Sequence, residues 1–141
     1  MTIEENKEIV RRYQEACNAN DLDALDGLVA KDVVSHSATP GLPPGLEGGK
    51  LAHRATLTAF PDLHYHVEDL FAEGDRVAQR FTLHCTHKGE FMGLAPTGRE
   101  VRLSGISIFR LKDGVIAEHW AVQDSLALMI QLGLFKPPGA A

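Results

Sequence analysis

Apolar residues recur at two different spacings along the chain, and the change of spacing separates a helical part from a strand part. Residues 2–19 carry apolar side chains three and four positions apart, which predicts an amphipathic helix capped by Thr2. Residues 22–29 predict a second, short helix after Asp21, and residues 47–60 predict a third, which Pro61 ends. The fold therefore opens with two successive helices.

From residue 63 the apolar residues alternate with polar ones, as they do in β-strands. Glycine-containing turns at 74–75 and 112–114 join consecutive strands in hairpin fashion, which predicts a strongly curved antiparallel sheet. Both faces of these strands carry apolar side chains, so we expect one face to meet the helices and the other to meet a second subunit, in a homodimer or homotetramer. The predicted strands cover residues 63–73, 76–87, 99–111 and 115–122.

Length and charge exclude several classes of protein. A chain of 141 residues fits a single domain, here residues 1–141. Its 14 Lys and Arg against 19 Asp and Glu give a net charge of -5 without a basic cluster, so we expect no nucleic-acid partner. The charged N-terminus and the lack of a long apolar run predict neither a signal peptide nor a membrane partner, and hence a cytoplasmic protein with Cys17 and Cys85 reduced.

Asp124 stands where the last strand gives way to a final apolar-periodic segment. Strict alternation would place Ile116, Glu118, Trp120 and Asp124 on one face of that strand and His119 on the other. Two roles are open for Asp124. It is either the cap of the following helix or a carboxylate at the edge of an apolar cavity, where desolvation would raise its pKa toward the range useful for moving protons.

Other candidate residues lie at strand ends and in loops. His36 ends a short β-branched run, residues 32–36, beside a Pro- and Gly-rich loop at 40–49, and is either a functional or a plain surface histidine. Arg80, on an apolar strand, needs an anionic partner, either Glu118 or Glu90 in a salt bridge or a substrate enolate or carboxylate.

The loop 89–98 and the histidines leave further alternatives. Phe91 and Met92 indicate either a flap over an interior or a loop pinned to the core. His64 and His66 share one strand face, whereas His84 and His87 do not, and no full ligand set accompanies either pair. We therefore expect no metal site, and His64 either lines a cavity or lies on the sheet surface.

An ordered set of motifs resembles one known family over nearly the whole chain. Thr86-His87 precedes the loop Gly89-Glu-Phe-Met-Gly-Leu-Ala-Pro-Thr-Gly98, which is followed by Phe109-Arg-Leu-Lys-Asp-Gly114. Glu118-His-Trp120, Asp124 and Gln131-Leu-Gly133 complete the set. In this order the motifs are similar to those of the SnoaL-like polyketide cyclases of the NTF2-like superfamily.

The resemblance implies an α+β fold, a cone-shaped barrel in which three helices cover a curved, mostly antiparallel sheet around one deep apolar pocket. It further implies intramolecular aldol cyclisation of a polyketide-type carbonyl compound, a small hydrophobic molecule, without metal or cofactor. By the resemblance Asp124 is the acid/base. We expect His36, Trp120 and His64 to position the substrate, and His36 to be catalytic as well, as a polar donor that stabilises the enolate. The alternatives are a non-catalytic module binding an apolar ligand, or an isomerase, hydroxylase or epoxide hydrolase, the last requiring Asp124 and Arg80 to act together.

Overall fold

The computed structural model describes residues 1–139, which form three α-helices, one 3₁₀ helix and five strands. The helices are α1 (Ile3–Asn18), the 3₁₀ helix (Leu22–Gly27), α2 (Gly45–Ala59) and α3 (Ser125–Gln131). The strands are β1 (Val29–Ser35), β2 (His64–Glu73), β3 (Arg76–Thr86), β4 (Glu100–Lys112) and β5 (Val115–Gln123). The predicted order of elements is therefore confirmed.

Local signals in the sequence fix where the first helices begin. The Thr2 hydroxyl accepts a hydrogen bond from the Glu5 amide while the Glu5 carboxylate accepts one from the Thr2 amide, a reciprocal capping box at α1. Asp21 caps the 3₁₀ helix by accepting from the Ala24 amide. The second predicted helix is thus present, in the tighter 3₁₀ form over one part of its predicted length.

The five strands form one sheet in the order β1-β5-β4-β3-β2. Three of the four neighbouring pairs are antiparallel, while β1 lies parallel to β5, so the sheet is mixed. Within residues 1–139 the sheet has β1 and β2 at its two edges and is not closed into a barrel. The predicted α+β fold, with helices against a curved sheet, is confirmed. The predicted barrel is corrected to an open sheet.

A β-bulge in β5 changes which side chains face the helices. Arg110 pairs with Glu118 and Leu111 pairs with Ile116, so Ala117 has no partner in β4. The extra residue reverses the alternation, and Ile116 and His119 consequently lie on the same, inner face. The predicted grouping of Ile116 with Glu118 is wrong for this reason, because a bulge leaves no clear mark in the apolar pattern.

The inner face of the sheet carries the core of the protein. Two clusters of buried side chains lie on it, one against α1, the 3₁₀ helix and β1, and the other against the end of α2, the loop 87–99 and α3. Gly105 on β4 leaves room for a ring from β3, because a Cβ there would lie 2.3 Å from Cζ of Phe81. The Phe81 ring therefore lies directly over the β4 backbone and forms part of the cavity between the two clusters.

None of the helices within residues 1–139 is long and apolar enough to cross a membrane.

Candidate active site

A large cavity of about 1040 Å³ lies between the helices and the inner face of the sheet. Its volume is at the upper end of the range typical of small-molecule sites. α1 and the 3₁₀ helix supply one wall, and α2 and the segment before it supply another. The sheet closes the third side with residues from several strands, among them Tyr65, Phe81, Ser107, Phe109, Ile116, His119, Ala121, Val122 and Gln123.

His119 is the titratable group that the bulge turns into this cavity. Its ring stacks on Phe109 at 4.7 Å with a 15° angle between the planes, and Tyr13 lies 6.5 Å away, centroid to centroid. Burial lowers the pKa of His119 from 6.5 to about 4, so the imidazole is neutral near pH 7. Within residues 1–139 its ring nitrogens have no side-chain hydrogen-bond partner, and the residue lines the cavity.

The remaining titratable groups inside the cavity are also uncharged near neutral pH. Burial raises the pKa of the Tyr13 phenol well above 10, and raises that of the Tyr65 phenol to about 12. Burial likewise raises the pKa of the Cys17 thiol to about 11, which makes it a poor nucleophile. His53, whose Nε2 lies 3.1 Å from Asn20 Oδ1, has its pKa lowered by burial. The interior therefore suits an uncharged, mostly apolar ligand.

The rim of the cavity is built by the segment between β1 and α2. We call residues 37–44 the mouth segment; all but half-buried Leu42 are exposed. The residues of this rim that line the cavity are Lys31 and Asp32 of β1 and, in the mouth segment, Ser37, Ala38, Thr39, Leu42, Pro43 and Pro44. Gly48 allows α2 to begin against this segment, because a Cβ there would lie only 1.7 Å from the Pro43 carbonyl oxygen. Of the glycines in the predicted loop 40–49, Gly48 is thus the one that the close contact between helix and segment requires.

Asp124 is not on the cavity wall. It is exposed and caps α3, where its Oδ1 accepts a hydrogen bond from the Ala127 amide at 3.0 Å. Its neighbours Gln123 and Ser125 line the cavity, but Asp124 does not. The alternative that places the Asp124 carboxylate at the edge of the cavity is therefore wrong, and the helix cap is correct. The bulge in β5 turns this side chain away from the interior.

His36 and Trp120 lie together on the outer face of the sheet. Their rings stack at 4.7 Å with a 5° angle between the planes, and His36 Nε2 lies 2.6 Å from Glu118 Oε2. Neither residue lines the cavity. The structure therefore places both residues outside the cavity in which we expected them to meet a substrate.

Arg80 and His64 are also on the outer face. Arg80 donates from Nε to Asp69 Oδ2 at 2.5 Å, so its anionic partner is neither Glu118 nor Glu90. Both Arg80 and His64 are exposed and outside the cavity lining. The epoxide hydrolase alternative, which needs Arg80 and Asp124 in the cavity, therefore has no support in this geometry.

The loop 87–99 is pinned to the core and is not a flap over the cavity. The Phe91 ring packs edge-on against Phe60 at 5.2 Å, and Met92 is 68% exposed, and neither contacts the cavity. Fully buried His87 fixes the loop from below, because its Nδ1 accepts from the Thr97 amide at 3.2 Å. Of the two alternatives for this loop, the pinned one is correct.

Within residues 1–139 no group of three or more His, Cys, Asp or Glu side chains is arranged to hold a metal ion. His64 and His84 are paired across β2 and β3, and both are exposed on the outer face.

Sequence reasoning missed the residues that matter most inside the cavity. The apolar spacing of residues 2–19 includes Tyr13 and Cys17 without marking them as site residues, and strict alternation places His119 on the wrong face. The signal available was the family motif Glu118-His-Trp120, which marks the segment but does not say which of its side chains faces inward.

Helices covering a curved sheet around a ligand-sized apolar cavity define a class of small pocket-bearing α+β proteins. A family model described as SnoaL-like polyketide cyclase matches residues 7–132. The chain therefore belongs to the SnoaL-like polyketide cyclase family, as its motifs predicted. No curated protein sequence matches the chain closely enough to count as a relative.

Several solved structures share the fold. IdmH from Streptomyces antibioticus, a candidate polyketide cyclase, is 36% identical, with a TM-score of 0.82 over 91% of this chain and 98% of that one. AclR from Streptomyces galilaeus, a candidate hydroxylase, is 34% identical, with a TM-score of 0.83 over 96% and 100%. TsrD from Streptomyces laurentii is 28% identical, with a TM-score of 0.85 over 96% and 99%.

The lowered pKa of His119 predicts a loss of stability in acid. The folded protein holds this ring neutral until about pH 4, whereas the unfolded chain binds the proton below 6.5, so stability is full above 6.5 and falls between 6.5 and 4. We expect the free energy of unfolding to drop by roughly 2–3 kcal/mol from this group between neutral pH and the lower end of that range. Urea unfolding of the wild type and of His119→Phe measures it. An equal acid loss in both proteins would contradict the assignment.

The capping geometry of Asp124 predicts how its variants behave. Asp124→Asn keeps a side-chain oxygen for the Ala127 amide and should leave stability nearly unchanged. Asp124→Ala loses that bond and should lower the free energy of unfolding by about 1 kcal/mol. Denaturant titration of both variants checks this, and an Asn variant as unstable as the Ala variant would show that the negative charge matters more than the cap.

Proposed function

We propose that this protein closes a ring in a polyketide-type carbonyl compound by an intramolecular aldol step, with His119 as the proton acceptor. The observation that carries the proposal is a neutral imidazole, without a side-chain hydrogen-bond partner in residues 1–139, facing an uncharged cavity of about 1040 Å³. Membership of the SnoaL-like polyketide cyclase family supports the substrate class.

The proposed reaction balances without any added reagent. His119 takes a proton from the carbon α to a carbonyl, and the Tyr13 phenol, held protonated by its raised pKa, donates a hydrogen bond to the enolate oxygen. The enolate carbon then forms a bond to a second carbonyl carbon of the same molecule. The resulting alkoxide takes the proton from the His119 imidazolium, so that the base is regenerated and a new hydroxyl is formed.

The low pKa of His119 in the empty cavity is compatible with this role. Desolvation is its cause, and a developing enolate beside the ring supplies the negative charge that favours the imidazolium. The pKa of His119 should therefore rise as the proton is transferred, because the ion pair forms in a medium of low dielectric constant. In a polyketide the reacting carbon lies between two carbonyl groups, which lower the pKa of its C–H bond. A weaker base is then sufficient to remove the proton.

Under this proposal Asp124 only caps α3 and takes no part in the reaction. The family resemblance makes Asp124 the alternative acid/base, and the two assignments predict opposite outcomes for matched variants. Asp124 is 3.0 Å from the Ala127 amide that it caps, outside the cavity lining, which favours His119.

Deuterium exchange measures proton abstraction without knowledge of the natural substrate. A naphthoylacetate ester carries an acidic methylene between two carbonyl groups on a flat apolar body, and its exchange in D₂O can be followed by proton NMR. We expect the wild type to accelerate exchange, and His119→Gln to reduce the protein-dependent rate by roughly 100-fold or more. Asp124→Asn should remain within about twofold of the wild type, because the cap is kept. Full activity of His119→Gln, or loss of activity in a folded Asp124→Asn, would contradict the proposal.

A second function, a binding module for an apolar ligand, is favoured by one specific observation. Catalytic histidines are commonly oriented by a hydrogen bond to the second ring nitrogen, and His119 has no such side-chain partner in residues 1–139. Binding of the naphthoylacetate ester without any acceleration of its exchange would favour this function over the cyclase.

We further propose that the outer face of the sheet joins two copies of this chain in a homodimer. Large apolar side chains are exposed on this face, although a sheet face in contact with water usually carries polar ones. They are Phe71 (62%), Ile106 (52%), Ile108 (37%) and Val122 (76%). The same patch on a second copy can meet it about a two-fold axis, which is the geometry of an isologous dimer.

Charge placed in this patch should weaken the dimer. We expect Val122→Asp to raise the dissociation constant by roughly 100-fold or more, because an unpaired carboxylate buried at an interface costs several kcal/mol. Leu126→Asp is the matched control, since Leu126 is 57% exposed but lies on α3, away from that face. Sedimentation velocity distinguishes the species. A wild type that is monomeric at all concentrations would contradict the dimer.

A further inference from the structure

A compact cluster on the outer face holds the end of β1. Glu118 accepts hydrogen bonds from Arg110 Nε at 2.8 Å and from His36 Nε2 at 2.6 Å, and these two contacts lower its pKa and keep it ionised. Trp120 stacks on His36, and the Arg76 guanidinium lies 5.1 Å from the Trp120 ring centroid. The His36 ring is therefore fixed both by a charge-assisted hydrogen bond and by stacking.

The residues after His36 pass from this cluster to the rim of the cavity. The His36 amide donates to the His119 carbonyl at 2.9 Å, and the next residue, Ser37, accepts at Oγ from the Ala121 amide at 2.9 Å. Ser37 is the first residue of the mouth segment and itself lines the cavity. The outer cluster and the cavity lining are thus adjacent along the chain, since Ser37 directly follows His36.

Little else fixes the beginning of the mouth segment. Residues 37–41 are exposed, and their backbone amides have no backbone partner in the described residues. At the other end the segment is held where Gly48 lies against Pro43. Its position beside His119 and Ala121 therefore depends on His36 and Ser37.

We propose that His36 is a positioning residue, which anchors the mouth segment through Glu118 and Trp120 and thereby sets the affinity of the cavity for its ligand. In this role His36 never contacts the ligand, and its effect reaches the cavity through Ser37. The effect on substrate affinity rests on the proposed function, whereas the anchoring of the segment can be tested in the protein alone.

The hydrogen-exchange rate of the Ala121 amide measures how firmly the mouth segment is anchored, because this amide donates its hydrogen bond to Ser37 Oγ. Hydrogen exchange by NMR should be about tenfold faster at Ala121 in His36→Ala, as expected for loss of a charge-assisted hydrogen bond and a ring contact. His36→Gln, which can still donate to Glu118, should be intermediate. The control variant is His64→Ala, an exposed histidine of the same face in β2, and the control amide is Asp124, which donates to the Ser104 carbonyl.

The kinetic readout separates positioning from catalysis. With the naphthoylacetate ester, His36→Ala should raise KM about tenfold and leave kcat within about twofold, because the acid-base groups stay in place while rim contacts are lost. His36→Gln should recover part of the KM, and His64→Ala should match the wild type.

The exchange rate of Ala121 and the kinetics with the ester test the anchor, the positioning role and the cyclase proposal separately. An unchanged Ala121 exchange rate in His36→Ala, or equal acceleration at Ala121 and Asp124, would overturn the anchor. A fall in kcat at unchanged KM would overturn the positioning role and make His36 part of the reaction. If the wild type does not accelerate ester exchange while Ala121 responds as expected, the cyclase proposal fails and the anchor stands.

Discussion

The arrangement of the cavity depends on one extra residue in β5. Without the bulge at Ala117, strict alternation would turn Trp120 and Glu118 inward with Ile116 and would leave His119 on the outer face. With the bulge, Ile116 completes the core and His119 enters the cavity. The same residue creates the outer cluster, because it sends Glu118 and Trp120 to the side where His36 ends β1.

A second physical constraint concerns charge. The cavity carries phenols, a thiol and two histidines that burial keeps uncharged near pH 7, and the charged Lys31 and Asp32 lie at its rim. A buried neutral base lowers stability in acid and gains its use only when a ligand develops negative charge beside it. The neutral His119 therefore carries a cost in stability that appears only in acid.

Much of the fold could be predicted from the sequence, because it follows from local signals. The capping box at Thr2, the glycine-containing turns and the apolar alternation gave the element order, and the ordered motifs gave the family. The cap at Asp124 was likewise visible as one of two alternatives.

The candidate site was less predictable, because it depends on register. A bulge requires knowledge of the pairing between β4 and β5, and one residue of shift exchanges His119 for Trp120 at the cavity wall. Arg80 was expected to need an anion, but Asp69 became its neighbour only through the pairing of β2 with β3. Tyr13 and Cys17 were invisible as site residues because a cavity-lining position on a helix has the same periodicity as a core position.

A crystal structure with the naphthoylacetate ester bound tests the central claim most directly. The account predicts the ester inside the cavity, with its methylene carbon about 3–3.5 Å from a ring nitrogen of His119 and a carbonyl oxygen facing the Tyr13 hydroxyl. An ester bound outside the cavity, or bound with its methylene against Asp124 and away from His119, would contradict it.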